Sequence, residues 1–167
     1  MRVLGIDPGS RITGFGVIDI EKGKLKYVTS GCIKMSDKQL PIRIKTIFEN
    51  LCEVIDSTQP EFMAIEDVFV SNNARSALVL GQARGAAISA GVSKGLPVGE
   101  YSALHIKKSV VGYGKADKSQ VQHMVKSILA LGGVPQEDAA DALACAICHS
   151  HTLAHQSRMN IDTLNGA

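Results

Sequence analysis

The sequence predicts an α/β protein: a five-stranded mixed sheet, in which an antiparallel N-terminal meander joins parallel strands, flanked by helices. Three observations predict it. Two short apolar runs, residues 3–6 and 62–65, read as buried strands, and each ends on a carboxylate, Asp7 and Glu66. Residues 11–35, split by the turn signal Glu21-Lys22-Gly23, read as a second and third strand running back and forth beside the first. Downstream, apolar residues recur at helical spacing between the remaining strand signals.

Residues 3–6 are apolar and partly β-branched, which suits a strand covered on both faces. Pro8 and Gly9 end it, because proline brings no N–H to the ladder and glycine takes turn conformations that other residues avoid. Asp7 therefore stands where a buried strand gives way to a turn. A charge there is costly to desolvate unless it is paired or binds a metal. In the second strand, residues 11–20, Gly14 and Gly16 alternate and leave one face bare. That pattern calls for close approach of another element or of a ligand to the backbone.

After the third strand, 24–35, the spacing predicts a helix over 38–57, capped by Ser36 or Asp37. Pro41 lies in its first turn, and Leu40, Ile44, Ile47, Phe48, Leu51 and Ile55 share one face. Gln59-Pro60 ends it, and residues 62–66 form the strand that delivers Glu66. Residues 68–73 read as a loop with Phe69 and Val70 apolar beside the carboxylate. A long helix over 74–93 carries Ala77, Gly81, Gly85 and Ala86. Such small residues let a neighbouring backbone come close, either the sheet or a second copy of the chain.

Residues 96–101 form the last strand. Gly112-Tyr113-Gly114 then separates the basic Lys107-Lys108 segment from a helix that opens at Asp117, with Gln120 at capping-box spacing. Val121, Met124, Val125, Ile128 and Leu129 make that helix's apolar face, and Gly132-Gly133 closes it. The final helix begins near Pro135; beyond Asp141 it is small and apolar on every side, so it belongs against the sheet. Residues 1–155 read as one domain and 156–167 as a polar, disordered tail.

At 167 residues, 45% hydrophobic and 20% charged, the composition is that of a globular protein with a substantial core. No stretch reaches the roughly 20 apolar residues of a membrane span. No basic segment leads into a cleavable apolar core, so the expectation is a cytoplasmic protein with no membrane partner. The four cysteines are sparse and flanked by apolar residues, which fits free buried thiols. A net charge of +2 says little, but residues 107–126 hold five lysines against the single acid Asp117. Such a region is either a phosphate-contacting face or a solvated helix surface.

Asp138 and Asp141 are three apart, on one face of the last helix, in its first turns where the helix dipole favours anions. Taken alone they could be ordinary N-terminal helix acids. With Asp7 and Glu66 they make a cluster of like charge that protonation or cations must relieve. Oxygen-only ligands favour Mg²⁺, with Mn²⁺ able to substitute, over zinc. Two such ions roughly 3.5–4 Å apart suit phosphodiester hydrolysis by an activated water.

Three ordered blocks then carry a resemblance: GIDPGSRITGFGVI at the start, AIEDVFVSNNARSALVLGQARG in the middle, and VVGYGKADKSQVQHMV followed by DAADALACAICH. Over nearly the whole chain, residues 2–151, the sequence resembles the RuvC Holliday junction resolvases, bacterial nucleases of the RNase H-like fold. The resemblance implies that Asp7, Glu66, Asp138 and Asp141 are catalytic acids that hold the metal ions. It implies that Phe69 contacts unstacked bases at the junction centre. Lys107 and Lys118 match basic residues implicated in DNA binding or catalysis, and the helix from Ala74 matches the family's dimer interface. It further implies a homodimer that nicks two strands of like polarity in four-way junctions during recombination and repair, working with RuvA and RuvB. Asp67 is not among the matched acids; on a strand it points away from Glu66 and reads as structural.

Other signals weigh less. Cys145-Ala-Ile-Cys148-His149 fits a haem-attachment pattern, but lies within a helix of a chain with no export signal. Zinc on Cys145, Cys148 and nearby histidines fits by ligand type. GIDPGS also resembles the first phosphate loop of sugar kinases and actin-like ATPases, which need two copies of the domain to close on ATP. A junction-binding protein that does not cut is a reading of a different class, favoured by the loss of an acid, and all four are present.

Overall fold

A computed structural model describes residues 1–68 and 73–165. In chain order the elements are β1 (Arg2–Asp7), β2 (Ile12–Glu21), β3 (Lys24–Lys34), α1 (Leu40–Thr58), β4 (Phe62–Glu66), α2 (Ala74–Ser93), β5 (Val98–Tyr101), α3 (Ala103–Val111), α4 (Lys118–Ile128) and α5 (Glu137–Asn165). The sheet order is β3-β2-β1-β4-β5. The first three strands pair antiparallel, while β4 lies parallel to β1 and β5 parallel to β4. Ile6 is in register with Ile65, so the next residues, Asp7 and Glu66, leave the same edge of the sheet side by side.

Strand alternation assigns each side chain to a face. Leu4, Ile6, Met63 and Ile65 pack in one core cluster with Ile47, Leu51 and Ile55 of α1 and the buried alanines of α2. Val3 and Ala64 belong to the opposite cluster, with α3, α4 and α5. By the same parity Asp7 and Glu66 fall on the α5 side and Asp67 on the α2 side. The acids thus reach one crevice because each of two strands ends one residue past its last core contact.

The residues of α5 from Ala139 to Cys148 are buried except the half-buried Asp141, and the helix lies across β1 and β2. It can do so because the strand surface beneath it is glycine. A Cβ on Gly5 would stand 2.0 Å from the Ala142 carbonyl oxygen, and one on Gly14 would stand 1.9 Å from that of Asp138. Gly14 is also the residue paired with Asp7 across the β1–β2 ladder. The bare face expected from Gly14 and Gly16 is therefore the seat of α5.

Several boundaries differ from the sequence expectation. Neither Ser36 nor Asp37 caps α1; the Asp37 carboxylate accepts instead from the Gln39 amide at 2.7 Å, closing a turn before the helix begins. β5 starts at Val98 and not at residue 96, because Pro97 has no N–H for the ladder, although its carbonyl accepts from Met63 N at 3.0 Å. The segment holding Lys107 and Lys108 is itself a helix, α3, capped by Ser102; its buried stripe is only Ile106 and Val110, too short a period to stand out. α4 keeps the expected capping box of Asp117 and Gln120 but ends at Ile128, where Ala130 turns left-handed (φ 50°) before the two glycines are reached. Residues 156–165, within the stretch expected to be a polar, disordered tail, continue α5 to Asn165, and residues 166–167 lie outside the described residues. No glycine or proline interrupts 156–165, and extending an existing helix is far easier than nucleating one.

Candidate active site

The turn after β1 is fixed from behind. The Thr13 hydroxyl, fully buried, donates to the Gly9 carbonyl at 3.1 Å and accepts from the Gly9 amide at 3.3 Å. Arg43 of α1 donates to the Ser10 carbonyl at 2.8 Å. Asp7 therefore leaves the sheet at a defined angle into a cleft of about 210 Å³, lined also by Glu66, Asp141, Lys107 and Lys118, with Ala103, Ile106 and Val121 as its apolar wall. Asp138 does not line the cleft. It sits one turn earlier on α5, half-buried, close enough for its charge to act on Asp7. Phe69 lies outside the described residues.

Electrostatics bind the group together. Burial first, then the charges of Glu66, Asp141 and Asp138, pushes the Asp7 carboxyl up to about 7. Burial, then Asp141, pushes Glu66 to about 7 as well, and burial raises Asp141. Lys118 pulls all three back toward ionisation, and Lys107 does so for Glu66 and Asp141. Lys118 is itself ion-paired with Glu137 at the start of α5, a fifth acid that the sequence did not single out. Lys107 lines the cleft from α3.

Among the described residues, no three His, Cys, Asp or Glu side chains close on one point as a ready-made metal cage. The donor set nonetheless fits a hard divalent cation: three carboxylates share one cleft, each raised by burial, and each would ionise more readily beside added positive charge. Mg²⁺ takes few protein ligands and completes its shell with water and substrate phosphate, so an open arrangement suits it. Cys145 and Cys148 are fully buried, and burial raises both thiols. Their thiolate forms, the ones that bind metal, are thus disfavoured.

The raised carboxyls make stability depend on pH. In the unfolded chain these acids titrate near 4; folded, Asp7 and Glu66 titrate at about 7. Between those values the folded state holds more protons, so this contribution is complete below about 4 and is lost as pH rises through about 7. Melting in EDTA is therefore expected at lower temperature at pH 8 than at pH 5, with Mg²⁺ raising the melting temperature more at pH 8. A Glu66→Gln variant should show a shallower decline. Identical pH profiles for wild type and variant would mean that the acids are not coupled in this way.

The fold and the site define a class: an RNase H-like nuclease, with acids at the ends of two neighbouring strands facing acids on a helix. The family model for crossover junction endodeoxyribonuclease RuvC matches residues 3–149, and the chain belongs to this family. The RuvC crossover junction endodeoxyribonuclease of Azoarcus sp. (strain BH72) is 61% identical over 150 residues, 90% of this chain and 82% of that one. The relative from Tolumonas auensis is 57% identical over 157 residues, 94% of this chain and 91% of that one. Thermus thermophilus RuvC, solved in complex with Holliday junction substrate, superposes with a TM-score of 0.85 at 33% identity, covering 96% of both chains. The yeast mitochondrial Holliday junction resolvase Ydc2, at 13% identity and a TM-score of 0.66 over 92% of this chain and 80% of that one, shares the fold. Among the described residues no helix is long and apolar enough to cross a membrane.

Proposed function

We propose that this cleft cuts four-way DNA junctions, hydrolysing one phosphodiester bond in each of two strands of like polarity with the help of Mg²⁺ or Mn²⁺. The observation that supports it best is the pair Asp7 and Glu66, held at about 7 in a cleft bordered by Lys107 and Lys118. Near neutral pH such acids ionise readily when positive charge arrives, and the lysines meet the phosphate. Asp7, Glu66, Asp138 and Asp141 would hold the metal, two ions at each site, which when bound supplies an activated water and neutralises the leaving 3′ oxygen. Asp141 faces the cleft directly, while Asp138 acts from its edge. Lys107 and Lys118 hold the backbone of the strand to be cut, with Glu137 keeping Lys118 extended across the cleft mouth. Phe69, following the acid-bearing strand, meets the bases at the junction centre.

The dimer is proposed on the outer face of α2. Gly81 and Gly85 have nothing within 4 Å of where a Cβ would stand, and Leu78 and Val92 are exposed at 69% and 58%. A second copy laid on this face would bring two clefts to one junction. Work in the cytoplasm alongside RuvA and RuvB completes the reading.

The deciding experiment is labelled four-way junction against linear duplex of the same sequence, with Mg²⁺ or EDTA, on protein whose mass is measured by sedimentation. Paired nicks in the junction alone, only with Mg²⁺, from a species of dimer mass are expected. Binding without nicks would convert the reading to a junction-binding protein, and equal cutting of duplex would make it a general nuclease.

A further inference from the structure

We propose that Arg84 is a positioning residue for Glu66: a clasp from α2 that fixes the end of β4 and so sets where the Glu66 carboxylate stands for metal. The inference rests on Glu66 being a metal-holding acid. Arg84 lies on α2, its side chain only 15% exposed, on the opposite face of the sheet from the cleft. Its Nε donates to the main-chain carbonyl of Glu66 at 3.2 Å. A terminal nitrogen meets the Asp67 carboxylate at 3.0 Å and is also ion-paired with Glu100 on β5.

The three contacts converge where β4 stops being a strand. Asp67 N still reaches across to the Tyr101 carbonyl at 2.8 Å, and the chain then leaves the sheet. A strand end held by its neighbour on one side alone is free to twist, and a twist of the Glu66 peptide swings its side chain on the other face. The Arg84 guanidinium prevents this by bonding that peptide directly. It also sits between Asp67 and Glu100, two acids on the same face, and offsets their mutual repulsion. Asp67, beside the cleft acid but pointing away from it, thereby has a role: it is the anchor of the clasp. Only a planar fork with several donors serves a carbonyl and two carboxylates at once, so lysine cannot replace it fully.

A plain bolt between α2 and the sheet would look similar, and the test separates the two. Arg84→Gln, Arg84→Lys, Asp67→Asn and Glu66→Gln are compared by single-turnover junction cleavage against Mg²⁺ concentration, hydrogen exchange of the peptide covering 62–68, junction binding in EDTA and melting temperature. Supporting orientation of metal ligands is typically worth tenfold or more in metal affinity, so Arg84→Gln should raise the half-saturating Mg²⁺ concentration about tenfold. Exchange at 62–68 should quicken while β1 is unchanged, and binding in EDTA should persist. Arg84→Lys should recover part of the shift, and Asp67→Asn, whose exposed side chain the fold does not need, should show a smaller shift in the same direction. A normal Mg²⁺ dependence in Arg84→Gln and Asp67→Asn, with Glu66→Gln inactive, would overturn the clasp and leave the role of Glu66 standing. Activity lost only in step with melting temperature, at unchanged half-saturation, would reduce Arg84 to a bolt. Wild-type cutting by Glu66→Gln would remove the reading beneath the inference.

Discussion

Asp7→Asn is expected to bind four-way junctions as the wild type does and to cut them at least about a thousandfold more slowly in Mg²⁺. The substitution keeps the shape of the side chain and removes one negative charge from the cleft. Electrostatic groups aimed at a reacting phosphate are commonly worth 10²–10³ each, so the loss corresponds to about 4 kcal/mol of barrier. The lysines that meet the backbone remain, so affinity for DNA in EDTA should not fall; removing an acid from the cleft favours a polyanion if anything. The same change has the opposite effect on the fold. Asp7 titrates at about 7 because burial and three neighbouring carboxylates oppose its charge. At pH 8 without divalent ions an asparagine there relieves a desolvated charge and its repulsions, so the variant should melt at a higher temperature than the wild type. A chain that is more stable, still binds and no longer cuts is the signature of an acid kept for metal and not for structure. Wild-type cleavage rates in Asp7→Asn would refute the four-acid mechanism outright.

What could be read from the sequence was whatever local punctuation and parity carry. β1 ends on Asp7 because the Pro8-Gly9 turn follows it, β4 ends on Glu66, and both strands and their acids lie where the sequence put them. Parity then assigned Asp67 to the far face, where Arg84 meets it. The capping box of α4 is a local pattern and was equally legible. Asp138 and Asp141 share a helix face, but three residues of α-helix rotate about 60° short of a full turn. That difference sends Asp141 into the cleft and leaves Asp138 at its edge. Nothing in the sequence fixes which edge of the stripe will face inward until the helix has docked. Arg84 and Glu137 were missed for a related reason: Arg84 is 18 residues from Glu66 and Glu137 is 19 from Lys118, contacts that exist only after elements pack. The glycines of β2 were a sign of docking that the sequence did show, beside the small residues of the last helix. They announced a close approach without saying what would approach.

That close approach makes Gly14→Ala a damaging single methyl in the protein's site. The added Cβ would stand 1.9 Å from the Asp138 carbonyl oxygen and 2.4 Å from its carbon. Both are backbone atoms of a helix, not the tip of a side chain that can swing aside. Relief requires the start of α5 to lift from the sheet by more than an ångström, since ordinary carbon contacts begin near 3.4 Å. Overpacking of this kind typically costs 1–3 kcal/mol and here should reach about 3, a fall of roughly 6–12 °C in melting temperature for a chain of this size. The catalytic loss should be larger than stability explains. α5 carries both aspartates, so lifting its first turn withdraws them from Asp7, and misplacement by about 1 Å can cost about a hundredfold in rate. Cleavage measured well below the melting transition should therefore fall about a hundredfold while junction binding persists. Gly133→Ala, with nothing within 4 Å of its added Cβ, controls for the loss of glycine itself and should behave as the wild type. Were Gly14→Ala to melt and cut normally, α5 would not be seated on the glycine face, and the mechanism that gathers four acids around Asp7 would have lost its scaffold.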